Sequence, residues 1–407
     1  MQLAEAAAGI CDLMWLVDAH NSDVREMAEL MRRFGPVVDV GDLDAEAAAR
    51  QAAVYRPDGI VTYHDAGMVK VAAIAEQLRL PFVSPATARL LTNKLEQRRA
   101  LQAAGLQVPR FWPIRSATSM DALEQVSADI TWPAVLKPCS DAGSHHTFLA
   151  RDKAHARALL ADIGAPRSAM MLEEYLPGDP KWSEDPFADY VSVESVVSDR
   201  AVSHIAITGR FPPAEAFRET GFVLPARLDP AREQAALELA SAAIAALDVR
   251  SGCLHTEVKF TADGPRILEV NGRIGYGVPA MLELAAGFDL YAASLQVALD
   301  AAVSIEGPIK CDRIGYRLFL QPPAISATVS AISGVDLLAD RAGVSGVTIH
   351  RGPGSAVDWR EGTRTFVLAV VGTAERHDEV GVVWRILHDQ VSVSYEHPSV
   401  PASQATS

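Results

Sequence analysis

The sequence predicts an α/β N-terminal domain followed by α+β domains whose sheets are mixed and antiparallel. Three observations lead to this fold class. At 407 residues the chain is too long for one ordinary hydrophobic core. Up to residue 110 it alternates short apolar runs with helical patterns, which indicates a parallel sheet with helical crossovers. From Phe111 onward, strand-like runs and helices follow in a mixed order typical of α+β domains.

The elements of the N-terminal part follow a βαβαβ order. Helices are expected where apolar residues recur at helical spacing, and strands where short apolar runs lie between turn residues. The expected strands are residues 13–17, 37–40 and 59–62, and the expected helices are 22–34, 43–55 and 67–79. A Gly-x-Gly-x-x-Gly turn is absent from this sequence, which disfavours a dinucleotide site here.

A polar helix at 93–104, ended by Gly105 and Pro109, follows the N-terminal sheet. Further strands are expected at 134–136, 169–173, 190–197, 203–208, 253–260 and 266–270, and helices at 152–163, 230–247 and 278–286. From Ile314 the chain is strand-rich again, with a Gly/Pro turn at 351–354. Residues 397–407 have the composition of a frayed tail.

The composition excludes some classes of function. The formal net charge of −14 argues against binding to nucleic acid or to an anionic membrane, since both need basic surfaces. The four cysteines form no Cys-x-x-Cys motif, so free thiols in a reducing compartment are expected. A basic signal peptide and an apolar run of membrane-spanning length are both lacking, which predicts a cytoplasmic protein.

The polar residues most suited to chemistry lie between residues 255 and 277. Two strand-like runs flank the sequence Ala-Asp-Gly-Pro at 262–265, a strong turn signal. If the hairpin is symmetric about Asp263, Glu257 and Glu269 lie opposite each other. Strand alternation then groups His255, Glu257 and Lys259 on one face, and Ile267, Glu269 and Asn271 on one face of the partner strand.

Two opposed carboxylates repel each other, because cross-strand Cβ atoms lie roughly 5 Å apart. A divalent cation between Glu257 and Glu269 would remove this repulsion. With the amide oxygen of Asn271 they form a hard ligand set that suits Mg²⁺ or Mn²⁺. Arg273 and three nearby glycines are suited to a phosphoryl group. The alternative is a surface hairpin whose acids face water, which the presence of Asn271, Arg273 and the glycines disfavours.

The run Leu-Glu-Val-Asn-Gly-Arg at 268–273, preceded by Glu257, resembles the metal-binding signature of the ATP-grasp superfamily. It is most similar to the carboxylate–amine ligases of the L-amino-acid ligase type. The resemblance implies that Glu257, Glu269 and Asn271 hold Mg²⁺ (or Mn²⁺) on the phosphates of ATP. It also implies that Arg273 is catalytic and stabilises an acyl phosphate. The signature is specific for the superfamily and says little about the substrate.

Upstream motifs resemble the nucleotide clamp of the same superfamily. Lys94 opens a helix after the N-terminal sheet, and Lys137 ends the apolar run Pro-Ala-Val-Leu-Lys-Pro at 133–138. The resemblance implies that both bind ATP phosphates. Taken alone, Lys94 is typical of an exposed lysine. A charge at the end of an apolar strand, as at Lys137, needs either a ligand or an acidic partner.

Residues 140–146 resemble the flexible loop that closes over the phosphates, with Ser144 among the ligands. Small residues let backbone N–H groups approach anionic oxygens. This loop has one glycine where several are usual. Its two histidines, His145 and His146, are interpreted as exposed loop residues or as phosphate contacts.

Residues 171–178, Met-Leu-Glu-Glu-Tyr-Leu-Pro-Gly, resemble the hinge strand that reads adenine. The resemblance implies that Glu173 accepts a hydrogen bond from the adenine amino group. The backbone of Glu174 and Leu176 would line the edge of the ring. An apparent insertion follows, so the acid that binds the ribose is either Asp179 or Asp189.

The segment 210–221 resembles the substrate region of amino-acid ligases. The hypothesis is that Arg210 or Arg218 receives a carboxylate and that Glu219 receives a substrate ammonium. A turn with solvated charges is the alternative. His255, next to the metal strand, either faces the acceptor or is a packed strand residue.

The resemblance implies an ATP-dependent ligase that joins a small-molecule carboxylate and an amine, with amino acids preferred, and releases ADP and phosphate. Two alternatives stay open: activation of bicarbonate as in biotin carboxylase, and a non-catalytic ATP-binding protein. A homodimer is the commonest assembly of the superfamily. The expected domains are an N-terminal βαβ (pre-ATP-grasp) domain at 1–110, a small ATP-grasp subdomain at 111–185, a large subdomain with the metal site at 186–305 and a strand-rich C-terminal subdomain at 306–407.

Overall fold

The structure is a computed structural model that describes residues 2–114, 129–164, 168–179, 186–301, 303, 305 and 307–396. The predicted tail at 397–407 lies outside the described residues. The elements of the N-terminal part are α1 (Gln2–Ala7), β1 (Trp15–Val17), α2 (Ser22–Met31), β2 (Val37–Asp39), α3 (Ala45–Ala53), a 3-10 helix (Asp65–Gly67), α4 (Met68–Leu78), α5 (Pro85–Thr92) and α6 (Lys94–Ala103). Strands β1 and β2 pair in parallel across α2, which confirms the first predicted βαβ unit.

The next elements form a small antiparallel sheet with one helix on it. They are β3 (Phe111–Ile114), β4 (Ala134–Pro138), β5 (Phe148–Ala150), α7 (Lys153–Ile163) and β6 (Met170–Glu174). The strand order is β3-β6-β4-β5. Lys137 therefore lies near the end of a strand that is hydrogen-bonded on both sides.

The central part supplies β7 (Tyr190–Ser198), β8 (Ala201–Arg210), a 3-10 turn (Glu215–Phe217), β9 (Gly221–Leu224), α8 (Pro230–Ala246), β10 (Gly252–Thr261), β11 (Gly264–Asn271), α9 (Val278–Ala286) and α10 (Leu290–Ala298). The C-terminal part adds β12 (Ile314–Leu320), β13 (Ser326–Ser333), α11 (Asp336–Ala339), β14 (Val344–Ile349), β15 (Ala356–Asp358), a 3-10 segment (Trp359–Thr365), β16 (Leu368–Ala374), α12 (His377–Asp389) and β17 (Ser392–Glu396).

One large sheet joins the central and C-terminal parts. Its order is β11-β10-β7-β8-β9-β12-β16-β14, and a smaller sheet has the order β15-β13-β17. The predicted C-terminal subdomain, 306–407, thus contributes three strands to the same sheet as the segment 186–305. The mixed and antiparallel sheets confirm the predicted fold class.

The third predicted N-terminal strand, 59–62, is wrong. Within the described residues it pairs with no strand and packs against helix α10 instead. Gly59 approaches the carbonyl of Ala298 so closely that a Cβ atom would collide with it. The Tyr63 hydroxyl lies 2.7 Å from the Ser294 Oγ atom of the same helix. The segment therefore packs against α10 and does not form the expected strand pairing. Contacts between distant segments determine this outcome, and local β-propensity does not encode them.

The large sheet has an apolar face and a polar face. Val191, Val193 and Val258 are buried under helix α8 in one continuous core. The alternate residues of β7, including Ser192 and Glu194, point the other way and are also buried. A sheet face that buries charged residues must provide their partners, and this is the face that carries the candidate site.

Among the described residues, no single helix combines the length and the hydropathy needed to cross a bilayer. Helices α9 and α10 meet that criterion only as a pair, with a bend of 116° between them.

Candidate functional site

Strands β10 and β11 bring the predicted metal ligands together. Glu257 pairs directly with Glu269, as predicted. His255 pairs with Asn271, two residues further from the turn. Because paired residues of an antiparallel ladder share a face, all four side chains belong to the polar face of the large sheet.

The turn of this hairpin is tighter than predicted. Thr261 pairs with Gly264, so the hairpin is not symmetric about a single residue. The register shifts further along, where Leu268 forms a one-residue bulge that realigns the two glutamates. The expectation for Ile267 is wrong: it pairs with Val258 and is fully buried in the opposite, apolar face. The bulge is the cause, because one extra residue reverses the alternation.

The two opposed glutamates have different cationic neighbours. The Lys94 ammonium lies 2.7 Å from Glu269 Oε1. The His255 Nε2 atom lies 3.5 Å from Glu257 Oε1. Burial alone would raise the pKa of Glu257, but its hydrogen bond with His255 and the charges of His255, Arg210 and Lys94 lower that pKa to about 2. Nearby cations therefore keep Glu257 in its carboxylate form despite its burial.

The donor set fits a hard divalent cation. The described residues contain no group of three or more His, Cys, Asp or Glu side chains arranged to hold a metal ion. The candidate set is instead two paired carboxylates and the amide of Asn271, whose nitrogen donates to the His255 carbonyl at 3.4 Å. That bond leaves the amide oxygen as the acceptor. Mg²⁺ commonly binds through one or two carboxylates and completes its shell with substrate phosphates.

Lys94 joins three parts of the site. Its helix α6 begins after Asn93, whose side chain caps the helix by accepting from the Glu96 N–H. The ammonium contacts Glu269 and also donates to the Asp141 carbonyl at 2.6 Å. The Lys94 N–H donates to the Cys139 carbonyl at 2.7 Å. The predicted phosphate lysine thus lies between the metal strand and the loop at 140–146.

Lys137 belongs to a buried ionic triad. Its ammonium lies 2.6 Å from Glu173 Oε1, and the Arg98 Nε atom lies 2.9 Å from Glu173 Oε2. Burial lowers the pKa of Lys137, while Glu173 opposes that shift. Burial would raise the pKa of Glu173, but Arg98 and Lys137 lower it below its usual value. The carboxylate expected to read adenine is therefore also engaged by two cations, and its role toward adenine stays a prediction.

The loop at 140–146 is held against the C-terminal segment 359–365. The Thr363 N–H donates to the Gly143 carbonyl at 2.8 Å, and the His146 N–H donates to the Arg360 carbonyl at 3.0 Å. The Ser144 hydroxyl donates to the Phe217 carbonyl at 2.8 Å. Gly362 approaches Gly143 so closely that a Cβ atom would collide with its carbonyl. The two loop histidines are partly buried, with ring centroids 4.0 Å apart.

A further ion pair joins this C-terminal segment to the small sheet. The Arg360 Nε atom lies 2.7 Å from Asp162 Oδ2 on helix α7. Thr363 also touches the substrate region, since its hydroxyl accepts from the Glu219 N–H at 3.0 Å. Thr363 therefore contacts both the loop at 140–146 and the candidate substrate site.

The hinge residues lie at the end of β6. Glu174 accepts a hydrogen bond from the Arg110 N–H at 3.0 Å, and Leu176 is buried. Of the two candidate ribose acids, Asp189 is paired with Lys259 at 2.6 Å. The Asp179 N–H donates to the Phe260 carbonyl at 3.4 Å. The choice between the two acids stays a prediction.

Arg210 is the buried cation of the proposed substrate region. Its Nε atom lies 3.4 Å from Glu219 Oε1, and the Tyr190 hydroxyl donates to Glu219 Oε2 at 2.9 Å. Its guanidinium also contacts the Ser192 hydroxyl at 3.0 Å. Burial raises the pKa of Glu219, while Arg210 opposes that rise. The structure thus brings together Arg210 and Glu219, two of the three residues suggested to bind the substrate.

His255 is held by a second buried acid. Its Nδ1 atom lies 2.9 Å from Glu194 Oε1, and its Nε2 atom lies 3.3 Å from Arg210 Nη2. Burial would lower the pKa of His255, but Glu194 and the hydrogen bond with Glu257 raise it to about 9. His255 therefore connects the metal pair to the Arg210–Glu219 pair.

Arg218, the alternative carboxylate receptor, does not face this cluster. Its Nε atom donates to the Glu215 carbonyl at 2.9 Å and its Nη1 atom donates to the Pro322 carbonyl at 2.9 Å. The residue is fully buried. It closes the turn and packs against the C-terminal part, so that hypothesis is corrected in favour of Arg210.

Arg273 follows the metal strand and contacts the N-terminal domain. Its Nε atom lies 2.8 Å from Asp65 Oδ2. Gly272 packs against the sulfur of Met68 and the side chain of Leu91, where a Cβ atom would lie 2.8–2.9 Å from them. The N-terminal domain therefore supports the loop that carries the predicted catalytic arginine.

Sequence reasoning missed Arg98, Asp65 and Thr363. Arg98 lies one helical turn after Lys94, a spacing that puts both on one face of α6 and could have suggested a shared partner. Asp65 and Thr363 are far in sequence from the residues they contact. They carry no local signal.

Comparison with known proteins defines the class. Residues 91–276 match the family of ATP-grasp domains. The crystal structure of an L-amino acid ligase from Bacillus licheniformis has a TM-score of 0.77 with this structure, covering 97% of this chain and 95% of that chain at 21% identity. The chain has the ATP-grasp fold, and residues 91–276 belong to the ATP-grasp domain family.

Two relatives match this chain over a smaller share of its length. An uncharacterised protein of Sinorhizobium fredii is 27% identical over 330 residues, which are 79% of this chain and 65% of that protein. The alanine–anticapsin ligase of Bacillus subtilis is 25% identical over 229 residues, which are 53% of this chain and 48% of that enzyme. The chain thus spans about half to two thirds of the length of these relatives.

Proposed function

We propose that the chain is an ATP-dependent carboxylate–amine ligase that joins amino acids. The observation that carries the proposal is the direct pairing of Glu257 with Glu269, on the same sheet face as the buried Arg210–Glu219 pair. The first pair suits phosphates and a divalent cation, and the second offers both charges that a zwitterionic amino acid needs. Similarity to an L-amino acid ligase and to an alanine–anticapsin ligase favours the same class.

The proposed reaction has two steps. A carboxylate oxygen attacks the γ-phosphorus of ATP, the bond to the bridging oxygen breaks and ADP leaves. The amine nitrogen then attacks the carbon of the acyl phosphate, loses a proton and expels phosphate. Positioning and charge neutralisation supply most of the catalysis in phosphoryl transfer.

The residues of the metal and phosphate region have distinct proposed roles. Glu257, Glu269 and Asn271 would hold Mg²⁺ or Mn²⁺, which when bound neutralises charge on the phosphates. Lys94, which contacts Glu269 in the structure, would bind a phosphate oxygen. Lys137 would bind phosphate from its position beside Glu173.

The other predicted site residues also have proposed roles. Arg273 would stabilise the acyl phosphate, and the Ser144 loop would cover the phosphates. The backbone of Glu174 and Leu176 would line the adenine, and Asp179 would bind the ribose. Arg210 would receive a substrate carboxylate and Glu219 an ammonium, with His255 beside the acceptor. We expect the enzyme to act in the cytoplasm, and a homodimer stays a prediction.

The test is release of ADP and phosphate by the purified protein with MgATP and amino acids supplied in pairs. We expect turnover that needs both members of a pair, with a dipeptide as the product. Turnover with bicarbonate and biotin would support the carboxylase alternative instead. Absence of turnover with every pair and with bicarbonate would favour a non-catalytic ATP-binding protein.

A further inference from the structure

The strand that carries two of the predicted metal ligands lies at the edge of the large sheet. Strand β11 is the first in the order of that sheet, and within the part of the chain that the structure describes it pairs with β10 alone. Glu269 and Asn271 flank Val270 in this strand, and Val270 is fully buried. An edge strand has a row of backbone groups without a ladder partner, so its position depends on the other groups that bind them.

The ladder between β10 and β11 does not by itself determine which residue faces Glu257. From the turn, the pairs follow in step as far as Val258 with Ile267. A regular ladder would next pair Glu257 with Leu268, and Glu269 would then point to the apolar face of the sheet. Because Leu268 is bulged, Glu257 pairs with Glu269 instead. The predicted metal pair therefore exists only in the bulged register.

Helix α6 supplies the groups that bind the bulged strand from outside the sheet. The Arg98 Nη2 atom donates to the carbonyl of the bulged Leu268. The Gln97 Nε2 atom donates to the Val270 carbonyl at 2.8 Å, and the Gln97 Oε1 atom accepts from the Val270 N–H at 2.9 Å. Two directly opposed residues of an antiparallel ladder exchange the same two hydrogen bonds. The Gln97 side chain therefore takes the place of a neighbouring strand at this edge.

Both of these helix residues have fixed positions of their own. Gln97 and Arg98 are almost fully buried. The Gln97 Nε2 atom also donates to the Leu90 carbonyl at 3.1 Å, and the Arg98 Nε atom lies 2.9 Å from Glu173 Oε2. Close packing leaves a buried side chain little freedom to move, so the position of α6 is passed directly to the backbone of β11.

We propose that Gln97, assisted by Arg98, is a positioning residue for the metal pair. It acts through the backbone of Val270, which lies between the ligands Glu269 and Asn271, and keeps β11 in the bulged register. The ligands of a metal site must be held to within about 0.5 Å, so a small shift of this strand weakens the site. The inference rests on the proposed ligase function, because that function assigns the metal ligands.

The test measures the binding of Mn²⁺ by electron paramagnetic resonance in the presence of a non-hydrolysable ATP analogue. It compares the wild-type protein with Gln97→Met, whose side chain has a similar length and supplies neither hydrogen bond to Val270. We expect the substitution to raise the Kd for Mn²⁺ about ten- to a hundredfold, the usual effect of removing a group that orients a metal ligand.

A second measurement separates positioning from a general loss of structure. The Kd for the ATP analogue is measured by calorimetry in EDTA, without any metal ion. We expect it to be the same in the wild type and in Gln97→Met, because the nucleotide without metal does not depend on the register of β11. Gln102→Met is the matched control, because Gln102 is exposed on the same helix, and it should change neither Kd.

Gln97→Glu is the second variant, and it decides the matter if Gln97→Met does not fold. It keeps the acceptor for the Val270 N–H and loses the donor, so it should also raise the Kd for Mn²⁺, by a smaller factor. An unchanged Kd for Mn²⁺ in the folded Gln97 variants would overturn the proposal, as would an equal rise in the Kd for the metal-free analogue. If the wild type with the analogue binds no more Mn²⁺ than the analogue alone, the metal assignment and the proposed function fail instead.

Discussion

Glu173 is the only acid that the structure places against both buried cations Arg98 and Lys137 among the described residues. Removing its charge leaves two guanidinium or ammonium groups buried without a counter-ion. Breaking a buried pair in this way typically costs about 3–5 kcal/mol, since desolvation is no longer compensated. Glu173 is therefore a structural anchor of Lys137.

We predict that Glu173→Gln lowers the free energy of unfolding by about 3–5 kcal/mol at neutral pH, measured by urea denaturation. Glu174→Gln is the matched control. Its partner Arg110 is more than half exposed, so we expect a loss of about 1 kcal/mol or less. A loss below about 1 kcal/mol in Glu173→Gln would show that the triad contributes little.

The same substitution has a definite pH dependence. Because the folded-state pKa of Glu173 lies below its usual value of 4.5, its contribution is complete above pH 4.5. The contribution is lost as the pH falls through the lower folded-state pKa. The difference in unfolding free energy between wild type and Glu173→Gln should therefore be constant above pH 4.5 and shrink as the pH falls below 4.5. A difference that grows on acidification would contradict this account.

Glu269 tests the metal assignment. We predict that Glu269→Gln reduces the rate of metal-dependent ADP release by about a hundredfold or more. This is the typical loss when one contact that stabilises charge in the transition state is removed. The melting temperature should change little, because losing the pair with Lys94 is offset by relief of the repulsion between Glu269 and the opposed Glu257. Asp263→Asn, in the turn of the same hairpin, is the control and should keep full activity. Full activity in Glu269→Gln would exclude this residue as a metal ligand.

At the scale of elements, the hairpin β10–β11 shows how far sequence reasoning reached. The turn signal and strand alternation predicted that Glu257 faces Glu269, which is confirmed. The bulge at Leu268 was not predictable, because its backbone carbonyl accepts from Arg98 on a helix far away in sequence. Periodicity predicted helices α2–α4 and α6–α9 and eight of the strands, but it missed helices α1, α5, α10 and α12 and strands β3, β5 and β9. The failed strand at 59–62 and the contacts of Thr363 depend on packing between distant segments, for which a single sequence carries no signal.

The C-terminal segment 359–365 holds the loop at 140–146 in place through backbone hydrogen bonds. Gly362 has a φ of 77° and faces the Gly143 carbonyl, and a side chain there would push the loop away. A displacement of about 1 Å in a loop that covers phosphates can cost about a hundredfold in rate. This segment should therefore influence nucleotide use although it lies outside the ATP-grasp match.

We predict that Gly362→Ala lowers kcat/KM for ATP roughly ten- to a hundredfold in the ADP-release assay. Gly354→Ala is the matched control, because Gly354 also has a positive φ, 89°, but meets no atom within 4 Å. Its effect should be confined to a loss of about 1 kcal/mol of stability. Equal kinetic effects of the two variants would attribute the result to backbone strain alone.

At the scale of the whole molecule, the central and C-terminal parts form one folding unit. Strands β12, β14 and β16 complete the eight-stranded sheet, and their side chains enter the cores on both of its faces. Strands from both sides of the boundary predicted at residue 305 share this sheet, and the boundary itself stays a prediction. Arg360 and Thr363 extend the same unit to the small sheet and to the loop at 140–146, so the position of that loop depends on the last quarter of the chain.

This organisation predicts that a chain ending at residue 305 does not fold. It would leave β9 as an open edge and expose Phe211, Phe222 and Leu224, all now buried. An apolar open edge favours association over folding. We expect aggregation, and no cooperative thermal transition in any soluble fraction. A chain ending at Glu396, which keeps every described residue, is the control and should melt cooperatively. A cooperative transition in the shorter chain would show that β7–β11 and the helices packed on them are stable without the C-terminal strands. The apolar area exposed at β9 would then be too small to prevent folding.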